Sequence, residues 1–239
     1  MAYGRYPIKV SAIIPSYNEE RQIGTVLSVV READVLDEIL VVDDGSTDRT
    51  LEMLPIGNGV RALRLPHNRG KGGAMWAGAE STDADILVFL DADLVGLRPE
   101  HLRIMLEPVA SGEADMSVGV FRHGRYWTDL AQKLAPYISG QRAIRREMFL
   151  SVPEVRAARS GVEVALTHFA RVNSWRVTWV TLAGITHVMK EEKMGALRGV
   201  RARLGMYREI AHYMCWARCR SRAGSLIRSV RRLLRAEEG

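Results

Sequence analysis

Two aspartates separated by one residue, Asp91 and Asp93, follow the apolar run at residues 86–90. Because successive side chains of an extended backbone point to opposite faces, residues spaced i and i+2 point the same way. Both carboxylates can therefore reach one ligand at the carboxyl end of a strand, where open α/β sheets bind ligands. Two hard oxygen ligands suit Mg²⁺ or Mn²⁺, and such an ion commonly joins a protein to phosphate. The alternative is an acidic turn that ends the strand and caps the next helix.

A repeated alternation of strands and helices must position this acidic pair. The hydrophobic spacing predicts an α/β fold with a mostly parallel sheet flanked by helices. In the first part of the chain, strands are predicted at residues 8–14, 37–42, 60–65 and 86–90, and helices at 20–31, 48–54 and 72–79. Beyond these, strands are predicted at 114–120 and 175–182, helices at 125–135, 142–150 and 161–172, a loop at 183–195 and helix from 196 onward.

Polar segments follow the three other early strands as well. Pro15, Tyr17 and Glu19 come after the first strand, where a helix cap is the alternative interpretation. Asp43 and Asp44 follow the second strand, where an aspartate can accept from a ribose hydroxyl or a pyrimidine imide, or simply form a turn.

A glycine-rich loop at residues 67–74 follows the third strand and contains Lys71. Such a loop lets backbone amides and an ammonium group approach a diphosphate, and a solvated loop is the alternative. Its spacing is not that of a P-loop.

The four segments IPSYNEE (14–20), VDDGSTD (42–48), NRGKG (68–72) and DAD (91–93) resemble, in order and spacing, family-2 glycosyltransferases with the GT-A fold. The resemblance implies a GT-A domain over residues 1–195, with a nucleotide-sugar-binding half at 1–95 and an acceptor half at 96–195. It also implies a role for each donor-side residue. Pro15, Tyr17 and Glu19 would line the nucleoside pocket, Asp43 or Asp44 would contact base or ribose, Lys71 would reach the diphosphate, and Asp91, Ala92 and Asp93 would hold the donor and its Mn²⁺ or Mg²⁺.

The acceptor half contains two further resemblances. SGQRAIRRE (139–147) resembles the acceptor-side segment of polyprenyl-phosphate sugar synthases, which implies acceptor contacts at Ser139, Gly140 and Arg142. Those enzymes usually carry a metal-binding Gln two residues after the second Asp, where Val95 stands here.

The segment at 161–166, followed by Thr186 and His187, resembles glucosyl-3-phosphoglycerate synthase and its relatives. This resemblance implies that His187 completes the metal site and that Glu163 lies near the acceptor. The relatives place an Arg two residues before that His, whereas Ile185 stands here, which disfavours phosphoglycerate as the acceptor. The alternatives are a loop histidine bonded to the backbone and a helix-face glutamate paired with an arginine.

The net charge of +6 is concentrated at the end of the chain. Residues 198–239 contain eleven Arg and three Glu, a net charge of +8, so the preceding residues carry −2. We interpret residues 196–239 as a basic amphipathic helical tail, because apolar residues within 224–235 follow helical spacing with arginines between them. Such a helix can lie in an anionic membrane interface. Docking on the protein's own core or on a second subunit, as in a homodimer, is the alternative.

Other features set limits on the function. No run of about 18 apolar residues occurs, and the first residues are not a signal peptide, so a cytoplasmic protein is predicted, with peripheral attachment to the membrane as a further option. Cys215 and Cys219 are interpreted as reduced core residues. No aromatic stacking platform accompanies the arginines, so nucleic acid is not a predicted partner.

The sequence therefore predicts a metal-dependent enzyme with Lys71, Asp93 and Glu163 as catalytic candidates. It would transfer a sugar, glucose or alternatively mannose, from a UDP-sugar or GDP-sugar to a lipid-linked acceptor such as polyprenyl phosphate or a glycolipid. Two alternatives remain. One is transfer to a small soluble phosphorylated acceptor, and the other is a non-catalytic scaffold that binds nucleotide sugars.

Overall fold

A computed structural model describes residues 8–57, 59–122, 139–159 and 161–187. The strands are β1 (Val10–Ser16), β2 (Glu38–Asp43), β3 (Val60–Arg64), β4 (Ile86–Phe89), β5 (Leu94–Val95), β6 (Met116–Arg122), β7 (Arg142–Arg145), β8 (Val177–Ala183) and β9 (Thr186–His187). The α-helices are α1 (Ile23–Val30), α2 (Lys71–Glu80), α3 (Pro99–Ala110), α4 (Arg146–Leu150), α5 (Pro153–Ala157) and α6 (Val162–Val172), and Leu51–Met53 forms a short 3₁₀ helix.

Seven strands form one sheet in the order β3-β2-β1-β4-β7-β6-β8. The pairs β1–β2, β1–β4, β2–β3 and β6–β8 are parallel, whereas β7 runs antiparallel to both β4 and β6. The predicted mostly parallel α/β sheet is therefore confirmed. Because β1 to β4 are mutually parallel, their carboxyl ends and the loops that follow them lie along one edge.

Both faces of this sheet are covered, which explains why its central strands are nearly continuous apolar runs. Ala12 and Ile14 of β1 pack in a cluster with buried residues of α1 and α3. Ile13, between them, faces the opposite cluster, which contains residues of α2, α4, α5 and α6. The alternation of side chains in one strand thus separates two hydrophobic layers.

Three predictions about secondary structure were wrong or incomplete. The predicted helix at 142–150 begins as strand β7, because Ala143 and Ile144 pack in opposite clusters and the segment lies between β4 and β6. The predicted loop at 183–195 contains β9, which pairs with β5. Helix α3 was not among the predicted elements.

Two predicted helices cannot be compared with the structure. The helix at 125–135 and the tail at 196–239 lie outside the described residues. Across the parts of the chain that are described, none of the helices has the length and apolar character needed to traverse a bilayer.

The close packing of α2 on the sheet leads to a prediction for Gly78. A Cβ at this position would lie 2.7 Å from Cγ2 of Ile13 and 3.0 Å from Cγ2 of Val42, both stiff branched side chains. We expect Gly78→Ala to lower the free energy of unfolding by about 1–3 kcal/mol, as overpacking does. Urea denaturation followed by circular dichroism would measure the change.

Gly24→Ala is the matched control, because a Cβ added at this position in α1 would meet no atom within 4 Å. It should raise the free energy of unfolding by about 0.5–1 kcal/mol, the usual gain when alanine replaces a helical glycine. Equal stability of the two alanine variants would contradict this account of the packing between α2 and the sheet.

Candidate active site

Three charged side chains from distant parts of the sequence meet at the carboxyl edge of the sheet. Nζ of Lys71, the first residue of α2, lies 2.5 Å from Oδ1 of Asp91 and 2.5 Å from Oε1 of Glu163. Asp91 lies just beyond β4, and Glu163 lies in the first turn of α6. The side chains are 27%, 18% and 12% exposed, respectively, so water screens this contact only partly.

The environment keeps Lys71 protonated. Burial would lower the pKa of its ammonium group, but the negative charges of Asp91 and Glu163 outweigh burial and raise the pKa above its ordinary value. The cation in turn offsets the repulsion between the two carboxylates. The three groups therefore form one electrostatic unit, with a lysine that stays charged across the physiological pH range.

The segment at residues 139–142 supports this unit from the opposite side. Antiparallel pairing of β7 with β4 places Arg142 opposite Phe89, and the same register brings Gly140 towards Asp91. A Cβ on Gly140 would lie 2.5 Å from Nζ of Lys71 and 2.7 Å from Oδ2 of Asp91. A side chain at this position would therefore displace the ion pair.

Gln141 contacts Asp91 directly and was not among the predicted site residues. Its Nε2 donates a hydrogen bond of 2.8 Å to Oδ2 of Asp91, and the residue is fully buried. The Ser139 hydroxyl lies within hydrogen-bonding distance of the Gly119 carbonyl oxygen and, at 3.1 Å, of Oε1 of Gln141. The sequence contained Gln141 within the segment at 139–147, but only the register of β7 reveals its partner.

Arg142 does not lie where an acceptor could reach it. The residue is 0% exposed, and its guanidinium donates to the Ser139 and Glu163 carbonyl oxygens at 3.1 and 3.0 Å and to Oγ1 of Thr167 at 2.9 Å. Burial lowers the pKa of this group to about 10, against the opposing effect of the Glu163 charge, so it remains a cation at neutral pH. The predicted acceptor contact at Arg142 is therefore corrected: Arg142 fastens the first turn of α6, which carries Glu163.

The glycine-rich loop also differs from the expectation that its amides approach a diphosphate. The amides of Arg69 and Gly70 donate to the two carboxylate oxygens of Asp44 at 2.7 and 2.8 Å. Those of Lys71 and Gly72 donate to the carbonyl oxygens of Arg159 and Ala158, each at 3.0 Å. Four consecutive amides are thus used within the protein, and the loop offers a ligand the Lys71 side chain instead.

Asp43 and Asp44, left as alternatives by the sequence, have different surroundings. Burial raises the pKa of Asp44 and outweighs the hydrogen bonds from the loop amides that it holds in place. Asp43 is fully buried, accepts from the Ser46 amide at 3.1 Å through Oδ1, and has Oδ2 3.6 Å from Nε of Arg64. Among the described residues, that Oδ2 has no hydrogen-bond partner.

The loop after β1 is fastened to the loop after β2. The amides of Asn18 and Glu19 donate to Ser46 Oγ at 2.9 Å and Thr50 Oγ1 at 2.8 Å. Between these bonds and Pro15, which is half-buried at the end of β1, Tyr17 has 44% of its surface exposed. The structure therefore brings the predicted nucleoside-side residues to the same edge as Asp43.

The predicted metal ligands come from adjacent backbone segments. Strand β5 immediately follows Asp93 and pairs with β9, so that His187 lies opposite Leu94 in register. Among the described residues, no three His, Cys, Asp or Glu side chains form a metal-binding cluster. The carboxylates of Asp91 and Asp93 and the imidazole of His187 are nevertheless groups that suit Mn²⁺. Mg²⁺ prefers oxygen ligands and would be bound by the two carboxylates.

The burial of Arg142 gives a prediction that separates a structural role from an acceptor contact. Arg142→Met would remove the buried donor that joins the Ser139 carbonyl oxygen to the first turn of α6, whereas the Glu163 carbonyl oxygen would keep its hydrogen bond from Oγ1 of Thr167. Each group left without a partner costs about 1–3 kcal/mol. We expect the free energy of unfolding to fall by about 2–4 kcal/mol, as measured by urea denaturation.

Arg145→Met, three residues along at the end of the same strand and only half-buried, is the control and should change stability by less than about 0.5 kcal/mol. If Arg142→Met unfolded at the same urea concentration as the wild type, the assignment of Arg142 as a fastening residue would be wrong.

Comparison with known proteins gives the same family as the four segments. Residues 11–162 match the sequence model of the family described as glycosyl transferase family 2. Glucosyl-3-phosphoglycerate synthase of Mycobacterium tuberculosis (strain ATCC 25618 / H37Rv) is 33% identical over 121 residues, which are 47% of this chain and 37% of that protein. Undecaprenyl-phosphate 4-deoxy-4-formamido-L-arabinose transferase of Pseudomonas aeruginosa (strain UCBPP-PA14) is 40% identical over 118 residues, 45% of this chain and 34% of that protein. The chain thus matches little more than a third of the length of these curated relatives.

Solved structures are similar over more of the chain. Glucosyl-3-phosphoglycerate synthase from Mycobacterium tuberculosis in complex with Mn²⁺, uridine diphosphate and phosphoglyceric acid has a TM-score of 0.70 and 26% identity, covering 88% of this chain and 78% of that one. The same synthase in complex with Mg²⁺ and uridine diphosphate has a TM-score of 0.62 and 26% identity, covering 83% and 80%. The predicted GT-A fold is therefore confirmed, and the extent of the family match establishes that the chain belongs to glycosyl transferase family 2.

Proposed function

We propose that this protein transfers a sugar from a UDP-sugar to a lipid-linked phosphate acceptor, with Mn²⁺ or Mg²⁺ as its cofactor. The observation that carries the proposal is the position of the Lys71 ammonium, 2.5 Å from both Asp91 and Glu163. That position lies at the sheet edge where the donor-side loops meet. A cation placed there can stabilise a leaving diphosphate, which is the charge that develops in transfer from a nucleotide sugar.

The nucleoside end of the donor fits the loops after β1 and β2. Within the part of the chain that the structure describes, Oδ2 of Asp43 has no hydrogen-bond partner. Because a buried carboxylate oxygen in that state is costly, it is a natural acceptor for a ligand N–H such as a pyrimidine imide. Tyr17 is exposed enough to pack on a base, with Pro15 and Glu19 beside it. Uridine diphosphate in the solved relatives supports UDP over GDP, and the complex of the same synthase with UDP-glucose supports glucose over mannose.

The divalent ion would be held by Asp91, Asp93 and His187. When bound, it supplies positive charge that neutralises the departing diphosphate. The chain's own contribution is the Lys71 ammonium, whose raised pKa keeps it protonated and able to donate to a diphosphate oxygen. Glu163 holds that ammonium on the side of α6, and Ala92 lies between the two aspartates at the donor edge.

Two observations favour a lipid-linked phosphate, such as polyprenyl phosphate, as the acceptor. The Pseudomonas transferase named for undecaprenyl phosphate has the higher sequence identity, 40% against 33%. Ile185 is fully buried where the phosphoglycerate-type relatives carry an arginine, so that position offers an anionic acceptor no charge. The basic tail at 196–239 would attach the enzyme to the membrane surface, a proposal that rests on its sequence alone.

Transfer to a small soluble phosphorylated acceptor is the second candidate. It is supported by the similarity to glucosyl-3-phosphoglycerate synthase over 88% of this chain. Assays with radiolabelled UDP-glucose and either polyprenyl phosphate in detergent or 3-phosphoglycerate would separate the two. The anomeric configuration of the product would decide between inversion and retention. Transfer to neither, with UDP-sugar bound, would favour a non-catalytic scaffold.

The metal assignment predicts the behaviour of Asp93→Asn. Replacing this carboxylate should weaken Mn²⁺ binding and reduce both transfer and metal-dependent donor hydrolysis by more than about 100-fold. Loss of a group that only contacts a metal ligand costs up to about 100-fold, and loss of a ligand itself should cost more. Isothermal titration with Mn²⁺ in the presence of UDP, together with the transfer assay, would measure both effects.

Asp34→Asn is the matched control for this change. Asp34 pairs on the surface with Arg103, and its side chain is 73% exposed, so its loss should alter neither quantity. Full metal-dependent activity in Asp93→Asn would remove Asp93 from the site.

The acceptor class predicts how Glu163→Gln responds to pH. A phosphate acceptor is already ionised and needs no general base, so the variant should lose activity through its weaker hold on Lys71 by a factor that does not change with pH. A hydroxyl acceptor would need Glu163 as a base. In that case the acid limb of the wild-type kcat profile would vanish in the variant, and that result would contradict the proposed phosphate acceptor.

A further inference from the structure

We propose that Gln141 is a positioning residue that holds the Asp91 carboxylate for the divalent ion, an inference that rests on the proposed function. Nε2 of Gln141 donates to Oδ2 of Asp91 at 2.8 Å, whereas Lys71 contacts the other oxygen, Oδ1, at 2.5 Å. The two donors therefore contact different oxygens of the same carboxylate. Asp91 would have to bind the divalent ion while it also contacts the Lys71 ammonium. The hydrogen bond from Gln141 sets the orientation in which the Asp91 carboxylate faces that ion.

The orientation of the Gln141 amide follows from chemistry. An ionised carboxylate only accepts hydrogen bonds, so the NH₂ group rather than the carbonyl oxygen must face Asp91. The amide oxygen then faces the Ser139 hydroxyl, 3.1 Å away. That hydroxyl also lies beside the Gly119 carbonyl oxygen, and its single proton can serve only one of these acceptors at a time.

The backbone fixes the rest of Gln141. Its carbonyl oxygen accepts from the Gly119 amide at 2.9 Å, and the residue lies just before β7 with no exposed surface. A fully buried polar side chain that is hydrogen-bonded at both its amide nitrogen and its amide oxygen can hold its partner in one geometry. Its amide is also neutral, so it orients Asp91 without adding a second positive charge to compete with the metal ion.

This arrangement gives Ser139 a role different from the predicted acceptor contact. The Ser139 hydroxyl contacts the amide oxygen of Gln141 and so supports the side chain that holds Asp91. Outer-shell partners of this kind change metal affinity by about 10–100-fold when they are removed. The metal site would thus depend on Gln141, which lies before β7, outside the segment after β4 that contains Asp91 and Asp93.

The test compares Gln141→Leu and Gln141→Asn with the wild-type full-length chain. Leucine keeps the approximate volume without a donor, and asparagine keeps the amide but is one methylene too short to reach Asp91. Mn²⁺ binding is followed by electron paramagnetic resonance with and without UDP, and UDP binding without metal by calorimetry. Both variants should bind Mn²⁺ about 10–100-fold more weakly. Metal-free UDP affinity should be unchanged, and the KM for Mn²⁺ should rise more than kcat falls.

Ser117→Ala is the control for packing. Ser117 is fully buried on β6, beside Ala143 of β7, and its hydroxyl has no hydrogen-bond partner among the described residues. It should leave Mn²⁺ affinity unchanged. Thermal unfolding shows whether each Gln141 variant is folded. If one variant is not folded, the other is used for the test.

The outcomes separate the two proposals. Wild-type Mn²⁺ affinity in a folded Gln141 variant would overturn the positioning role and leave the proposed function intact. If the wild type itself bound neither Mn²⁺ nor UDP, the proposed function and the role of Gln141 would both be wrong. A uniform loss of UDP and Mn²⁺ binding would also overturn the positioning role, because it would indicate a general structural defect.

Discussion

The ammonium of Lys71, shared by the carboxylates of Asp91 and Glu163, is the interaction on which the candidate site depends. Each partner alone would carry a desolvation cost at this partly buried position, and the two carboxylates would repel each other. The shared cation offsets the desolvation cost and the repulsion, and it joins the end of β4, the start of α2 and the first turn of α6. Any change to one of these three groups should therefore alter the positions of the other two.

The supporting contacts divide the work between backbone and side chains. The amides at the start of α2 are used by Asp44 and by the carbonyl oxygens of Ala158 and Arg159, so they fix the loop. In a P-loop, by contrast, such amides contact the phosphates. In the proposed function, Lys71 and a divalent ion therefore supply positive charge to the diphosphate in place of these amides. Arg142 contributes indirectly to the position of the Lys71 ammonium, because its buried guanidinium holds the helix that carries Glu163.

The sequence predicted the donor half well, because three of its strands, β1, β2 and β4, are buried on both faces and all four early strands are followed by polar residues. Lys71 and Asp91 were expected at one edge, and the structure brings them into contact. It could not predict β7, a four-residue strand that contains two arginines and lacks a clear period. Without that antiparallel register, nothing in the spacing links Gln141 to Asp91, or shows that Arg142 is buried rather than turned towards an acceptor. Asp43 and Asp44 could be told apart only from their hydrogen bonds.

The most direct measurement is anomalous diffraction from a crystal of the full-length chain grown with MnCl₂ and UDP. We predict a manganese peak between the carboxylates of Asp91 and Asp93, with the diphosphate on the side of Lys71 Nζ and the base beside Asp43. A manganese peak away from the aspartates, or UDP bound with its diphosphate remote from Lys71, would contradict the proposed site.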